Sequence, residues 1–403
     1  MKAIIRPSVL SGEIKAPPSK SMAHRLLISA GLADGKSIIK NVDFSEDILA
    51  TLDCLSTMGA KIEREESIVT ITGTTPFISA EKEFSARESG STLRFFIPLL
   101  LLSERAQTFT GYGRLMERPM SVYEEICNEK GLLFSQQDGK IKLCGKLSAG
   151  NFTVKGDISS QFVSGLLFAL PFCEEDSTIE LIPPVESRSY INMTIDAMKS
   201  FGVNAEWKNE TEIYIKGKQQ YKSQTLTVEG DYSNAAFIEA FNLFGSDVEV
   251  KNLNENSLQG DKIYREYFAA LSGGNAELDV SNCPDLAPVL MSVAAMKNGA
   301  TLTGTRRLKI KESDRAKVMK EELSKFGADI TVNENSVVIR KADLYSPTEK
   351  LFSHNDHRVV MALSVISSIY GGTITEAECV KKSYPSFFEE MKKLGLEVTL
   401  CDD

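Results

Sequence analysis

The feature that most constrains the fold is a degenerate repeat running the length of the chain. A helix-compatible stretch leads into a glycine, followed by a short amphipathic strand, a polar turn and a second strand. The clearest copies run from 55–60 into 68–71, from 198–203 into 213–215 and from 323–328 into 337–339; fainter ones surround Gly131, Gly273 and Gly395. Glycine there suits a helix C-cap, where φ turns positive, and the alternation after it suits half-buried strands. About forty residues before each glycine comes a possible helix start with a small or acidic cap, at Ser19, Ser89, Ser159, Asp231, Asp285 and Asp356. Most intervals are about seventy residues; the one from Asp231 to Asp285 is shorter, and the glycine series shortens at the same point. Two markers with one spacing predict six copies of a unit of two helices and about four strands, three per domain. No linker composition marks the division, so a boundary near 229–231 follows from the count alone.

At 403 residues the chain exceeds one compact core. A net charge of -9 and a pI near 5.2 exclude the broad basic surface that nucleic acid or an anionic membrane requires. An anionic ligand must therefore be met by cations gathered locally. Seven cysteines without a C-x-x-C pair read as reduced thiols rather than a disulfide or zinc framework. The longest apolar run, 95–102, is far short of a membrane span and contains Pro98, and the N-terminus lacks a secretory apolar core. A soluble cytoplasmic enzyme is expected. Three histidines without ligand spacing predict no metal site, and His357 is expected to be structural.

The helix starts are the places to look for chemistry. Their backbone N–H groups are unsatisfied and carry partial positive charge, which suits anions. The stretch 17–25 places Ser19 as cap, Lys20 and Ser21 in the first turn, and Arg25 on the same face as Ser21; it is not a Walker loop. Gly90 and Arg94 stand at a second start, followed by a Gly-flanked loop with Arg114 and Arg118, and arginine suits bidentate carboxylate or phosphate binding. Ser159, Ser160 and Gln161 form a third start, with Ser187 and Tyr190 beyond it to offer hydroxyls to a polyol. Residues 309–315 form the densest run, in which Lys311 and Arg315 would share a helical face beside Glu312; Arg358 and Lys382 follow in two further segments. Singly, each is matched by an ordinary capped or charged surface helix.

Together they resemble the 5-enolpyruvylshikimate-3-phosphate synthase family over nearly the whole chain. The motifs are P-x-S-K-S-x-x-x-R at 17–25, S-G-S-T-x-R at 89–94, R-x-x-E-R-P at 114–119, S-S-Q-F at 159–162, P-D at 284–285, K-E-S-D-R at 311–315, N-D-H-R at 355–358 and K-x-Y-P at 382–385. One would be weak; eight in the family order are not. The resemblance implies an α/β fold, a two-domain inverse α/β barrel with three units per domain. Residues 1–17 would join 230–403, residues 18–229 would form the inserted domain, and the active site would lie in the cleft between them. It implies transfer of the enolpyruvyl group of phosphoenolpyruvate to the 5-hydroxyl of shikimate 3-phosphate, with release of phosphate, by a monomer needing no cofactor.

Residue by residue, the resemblance implies that Lys20, Ser21, Arg25, Ser159, Ser160, Gln161, Ser187, Tyr190, Asp285 and Lys311 hold shikimate 3-phosphate. It gives phosphoenolpyruvate to Lys20, Gly90, Arg94, Arg114, Gln161, Arg315, Arg358 and Lys382. Asp285 is the expected base, with Glu312 and Lys20 supplying protons; a carboxylate among cations is better suited to base than to acid, so Glu312 as an acid would need local desolvation. Glyphosate, which competes with phosphoenolpyruvate in the family, is expected to inhibit, since Gly90 leaves room for it. Glu88, Phe95 and Arg307 depart from the family pattern beside this pocket. The related UDP-N-acetylglucosamine enolpyruvyl transferases carry K-N at the start and a reactive cysteine in the mobile loop, where this chain has Lys20-Ser21 and no cysteine in 111–119. A non-catalytic phosphosugar binder on the same scaffold would not need both Asp285 and Glu312.

Overall fold

The computed structural model describes residues 1–402, which form two compact units. One is Pro18–Glu229; the other combines Met1–Pro17 with the chain from Gly230 on.

The unit of residues 18–229 has helices α1 (Lys20–Leu32), α2 (Glu46–Met58), α3 (Gly90–Leu100), α4 (Ser121–Glu129), α5 (Ser160–Ala169) and α6 (Arg188–Ser200). They alternate in character. α1, α3 and α5 are buried at almost every position, as helices apolar on all sides must be. α2, α4 and α6 bury one face only; in α4 Val122, Tyr123, Ile126 and Cys127 point inward while Glu124 and Glu125 face solvent. Three four-stranded sheets surround this core. In one, Lys82–Ser85 pairs parallel with Gln107–Thr110, which pairs antiparallel with Lys140–Cys144 and through it with Leu133–Gln137. The parallel pair needs a long crossover, and α3 supplies it. The other two sheets repeat the pattern, from Gly150–Lys155 and from Thr225–Thr227.

The second unit repeats the alternation with α7 (Tyr232–Glu239), α8 (Tyr264–Gly273), α9 (Ala287–Met296), α10 (Arg315–Ser324), α11 (His357–Tyr370) and α12 (Phe387–Lys393). Here α7, α9 and α11 are the buried helices. The N-terminal strand Lys2–Ile5 lies between Gly372–Thr375 and Val398–Cys401, which ties the first residues to the last. Each unit has its own apolar core.

Six sheets accompany the six copies, with one correction. The shortened copy between Asp231 and Asp285 has only two strands, Ser11–Lys15 paired with Asp247–Lys251, because it is too short to hold the hairpin. Three sheets with their helices in each compact unit are the expected α/β arrangement. The glycine of the repeat caps α2 at Gly59, with φ +129°; in the short copy Gly273 ends α8 and the positive φ falls on Gly274.

Candidate active site

Five of the six expected caps accept a backbone N–H at a helix start: Ser19 for α1, Ser89 for α3, Ser159 for α5, Asp231 for α7 and Asp356 for α11. Asp285 does not cap. α9 begins two residues later, and the carboxylate turns instead to Lys311 and Arg315, whose charge-assisted bonds outweigh a cap.

In the unit of residues 18–229, Lys20 opens α1 with its Nζ 2.7 Å from Asp47 Oδ2, both side chains mostly buried. His24 Nδ1 lies 2.7 Å from Thr51 Oγ1, which meets Thr92 Oγ1 at 2.7 Å, and Thr92 donates to the Ser89 cap. This hydroxyl chain ties α1, α2 and the start of α3 together. Burial, then Lys20 and Arg25, hold the His24 imidazole well below its usual range, so it stays neutral. Arg94 donates from Nη1 to Gln161 Oε1 at 2.7 Å, and Gln161 donates to Ser91 Oγ at 2.8 Å, so the starts of α3 and α5 share one polar patch. Arg25 gives Nε to Thr194, Nη1 to the Ser21 carbonyl and Nη2 to the Tyr190 carbonyl, with its guanidinium over the Tyr190 ring. Two of its five donors thus hold α1 to α6, while the third returns to α1 itself. Burial pushes this guanidinium down to about 10, still charged at neutral pH. Ser187, buried and with φ +55°, precedes α6.

In the other unit, Arg315 is the organising cation, 2 % exposed at its side chain. It meets Asp285 Oδ1 at 2.7 Å, Glu312 Oε2 at 2.8 Å and Asp356 Oδ2 at 2.9 Å. Asp285 also meets Lys311 at 3.2 Å and Arg358 at 3.6 Å. Burial alone would push the Asp285 carboxyl up, but Lys311, Arg315 and Arg358 together hold it well below the usual carboxylate range. Burial lowers Lys311 against the pull of Asp285. Arg358 donates to Asn234 Oδ1, and Lys382 donates to the Asn355 carbonyl at 2.8 Å. The cations are nearly balanced by their own carboxylates. An arriving anion therefore competes with partners already in place and does not enter a bare positive field.

One expectation from the sequence changes. Lys311 and Arg315 do not share a helical face: Lys311 lies in an extended bend before α10, yet both reach Asp285 because the bend turns back on it. Arg114 is exposed on the short 3-10 turn Gly113–Glu117, whereas a Cβ at Gly90 would lie 2.7 Å from Arg118 Nη1 and 3.2 Å from Arg94 Nη1. Arg118, four residues on, is the guanidinium that joins Arg94 at this backbone. Asp47 was missed as well. It stands in the first turn of α2, and only the packing of α2 on α1 brings it to Lys20. His357 is buried at the start of α11. Arg307, also buried, donates to the Ser281 carbonyl.

The family model for EPSP synthase (3-phosphoshikimate 1-carboxyvinyltransferase) matches residues 4–391. The 3-phosphoshikimate 1-carboxyvinyltransferase of Clostridium perfringens is 41% identical over 420 residues, covering 98% of this chain and 98% of that one. The Clostridium kluyveri protein of the same name is 41% identical over 416 residues, covering 98% and 97%. The solved EPSP synthase of Acinetobacter baumannii superposes with a TM-score of 0.80 over 100% of both chains at 22% identity, a likeness of fold.

Proposed function

The chain belongs to the EPSP synthase (3-phosphoshikimate 1-carboxyvinyltransferase) family and transfers the enolpyruvyl group of phosphoenolpyruvate to the 5-hydroxyl of shikimate 3-phosphate; within that reaction we propose that the two polar clusters act on one substrate pair. Lys20, Ser21, Arg25, Ser159, Ser160, Gln161, Ser187, Tyr190, Asp285 and Lys311 hold shikimate 3-phosphate. Arg94, Gln161, Gly90, Lys20, Arg114, Arg315, Arg358 and Lys382 hold phosphoenolpyruvate, with Arg118 beside Arg94 at Gly90. The observation that carries this reading is Asp285, a carboxylate met by Lys311, Arg315 and Arg358 at 3.6 Å or less. Such a site binds anions and keeps one ionised base among them.

Asp285 takes the proton from the 5-hydroxyl as its oxygen bonds to the central carbon of phosphoenolpyruvate. Glu312 delivers a proton to the methylene carbon, giving a tetrahedral adduct. The Glu312 carboxylate then takes a proton back from the new methyl group as the phosphate departs, with Lys20 protonating the leaving oxygen. The arginines neutralise two anions that, brought within about 4 Å, would repel each other by several kcal/mol. Buried thiols in no disulfide support a reducing compartment, and we place the chain in the cytoplasm as a monomer. No described helix is long and apolar enough to cross a membrane. Phosphate release from phosphoenolpyruvate with shikimate 3-phosphate as acceptor tests the reading; release with UDP-N-acetylglucosamine alone would overturn it.

A further inference from the structure

Glu322 takes no part in the proton transfers of the reaction, yet it is a fully buried carboxylate with three partners. It lies on α10 two turns beyond Arg315, seven residues on and so on nearly the same face. Its Oε2 accepts from Lys325 Nζ at 2.8 Å and from the Phe352 backbone N–H at 2.8 Å, and its Oε1 lies 3.0 Å from His354 Nε2. Lys325 also donates to the Lys350 carbonyl at 3.0 Å. Burial alone would raise the Glu322 carboxyl, but His354, Lys325 and the Phe352 N–H lower it below the ordinary range, so it is ionised.

One helix therefore grips one segment at two places. Glu322 and Lys325 take residues 350–354, and Arg315 takes Asp356. Between the two grips, His354 and Asn355 both carry left-handed φ, +51° and +55°. Such conformations are disfavoured for residues with a Cβ and persist where their surroundings impose them. The turn they make sets three things at once. The Asn355 carbonyl accepts Lys382, Asp356 caps α11 while bonding Arg315, and the backbone N–H that Asp356 accepts is that of Arg358. Arg315, Arg358 and Lys382 are among the residues proposed to hold phosphoenolpyruvate, and the role inferred for this turn rests on that assignment.

We propose that the Glu322–His354 contact, braced by Lys325, is a positioning device that holds the strained turn 354–355 and thereby sets Arg358 and Lys382 for phosphoenolpyruvate. His354 is a positioning residue that acts through the backbone it anchors. Its side chain is 27 % exposed, less enclosed than its completely buried partner, so it can be varied without opening the core.

The test is steady-state phosphate release by the full chain carrying His354→Ala or His354→Gln, with each substrate varied in turn. Glutamine keeps an N–H donor at a similar reach. We expect His354→Ala to raise the KM for phosphoenolpyruvate about ten-fold, with the KM for shikimate 3-phosphate within about two-fold and a cooperative melt, and His354→Gln to restore most of the loss. An unchanged KM for phosphoenolpyruvate in His354→Ala, an equal rise for both substrates, or failure of glutamine to rescue would each overturn the proposal. Arg358→Lys, run alongside, separates the two levels. If it leaves the KM for phosphoenolpyruvate unmoved, the assignment of this turn to that substrate fails; if it raises that KM while His354→Ala does not, only the positioning role fails.

Discussion

Replacing Asp285 by Asn removes one negative charge and little volume. At an effective dielectric constant near 20, a unit charge 2.7, 3.2 and 3.6 Å from three cations interacts with each by about 5–6 kcal/mol before desolvation is counted. Those attractions outweigh burial and depress the carboxyl, so Asp285 is ionised at neutral pH but is a weak base in the free protein. Substrate anions bring negative charge to the same cations, which lifts the carboxyl toward the range where it can take a proton. Loss of a general base should lower kcat by about 10²–10⁴, or roughly 3–5 kcal/mol in the barrier. Binding should move the other way. A carboxylate about 5 Å from a bound anion opposes it by about 3 kcal/mol under the same dielectric, so the KM for phosphoenolpyruvate should not rise in Asp285→Asn. The assay is phosphate release with each substrate varied, with a thermal melt to show that the fold is kept. In the unsubstituted protein the acid limb of kcat should lie at higher pH than that of kcat/KM. A kcat loss under about ten-fold, or a raised KM with kcat preserved, would refute the assignment of Asp285 as base.

Gly165→Ala should destabilise the unit of residues 18–229 by about 1–3 kcal/mol in chemical denaturation, because a Cβ there overlaps the Arg94 carbonyl oxygen and the Tyr123 hydroxyl; an unchanged midpoint would show that α3 and α5 can part freely. Asp47→Asn should impair turnover through Lys20, whose 2.7 Å partner loses its charge, and a wild-type rate would leave Lys20 positioned by something else. Gly90→Ala forces the Arg118 and Arg94 guanidinium tips to move and should weaken inhibition by glyphosate competing with phosphoenolpyruvate; equal inhibition constants would contradict this. His354 titrates above its usual value of about 6.5 through its bond to Glu322, with Glu321 adding to the rise and burial and Lys325 opposing it. Its contribution is therefore fully present below about pH 6.5 and is lost as pH rises through the higher folded-state value. Wild type should exceed His354→Gln in stability by more at pH 6 than at pH 9, and a gap that widens with pH would reverse the sign.

Much was legible locally. A helix start is written in a few consecutive residues, so Ser19, Ser89, Ser159, Asp231 and Asp356 could be read as caps directly. The sixfold repeat was readable because helix ends and strand alternation recur at one spacing, and the missing hairpin showed as a shortened interval. Asp285 reads locally as a cap but is not one, because its carboxylate answers to Lys311 and Arg315, at least 26 positions away. Arg114 and Arg118 sit in the same short motif, and nothing local says which one reaches Gly90.

By itself, then, the sequence determined where most of the buried helices begin and which cations and hydroxyls stand at their starts. These depend on capping and periodicity within a turn or two. Tertiary structure decided the partners. Asp47 meets Lys20 from 27 positions away, Thr194 meets Arg25 from 169, and Glu322 reaches His354 from 32. Burial and neighbouring charge then set whether each group is charged, neutral or held in a strained turn, and both arise only when distant segments pack.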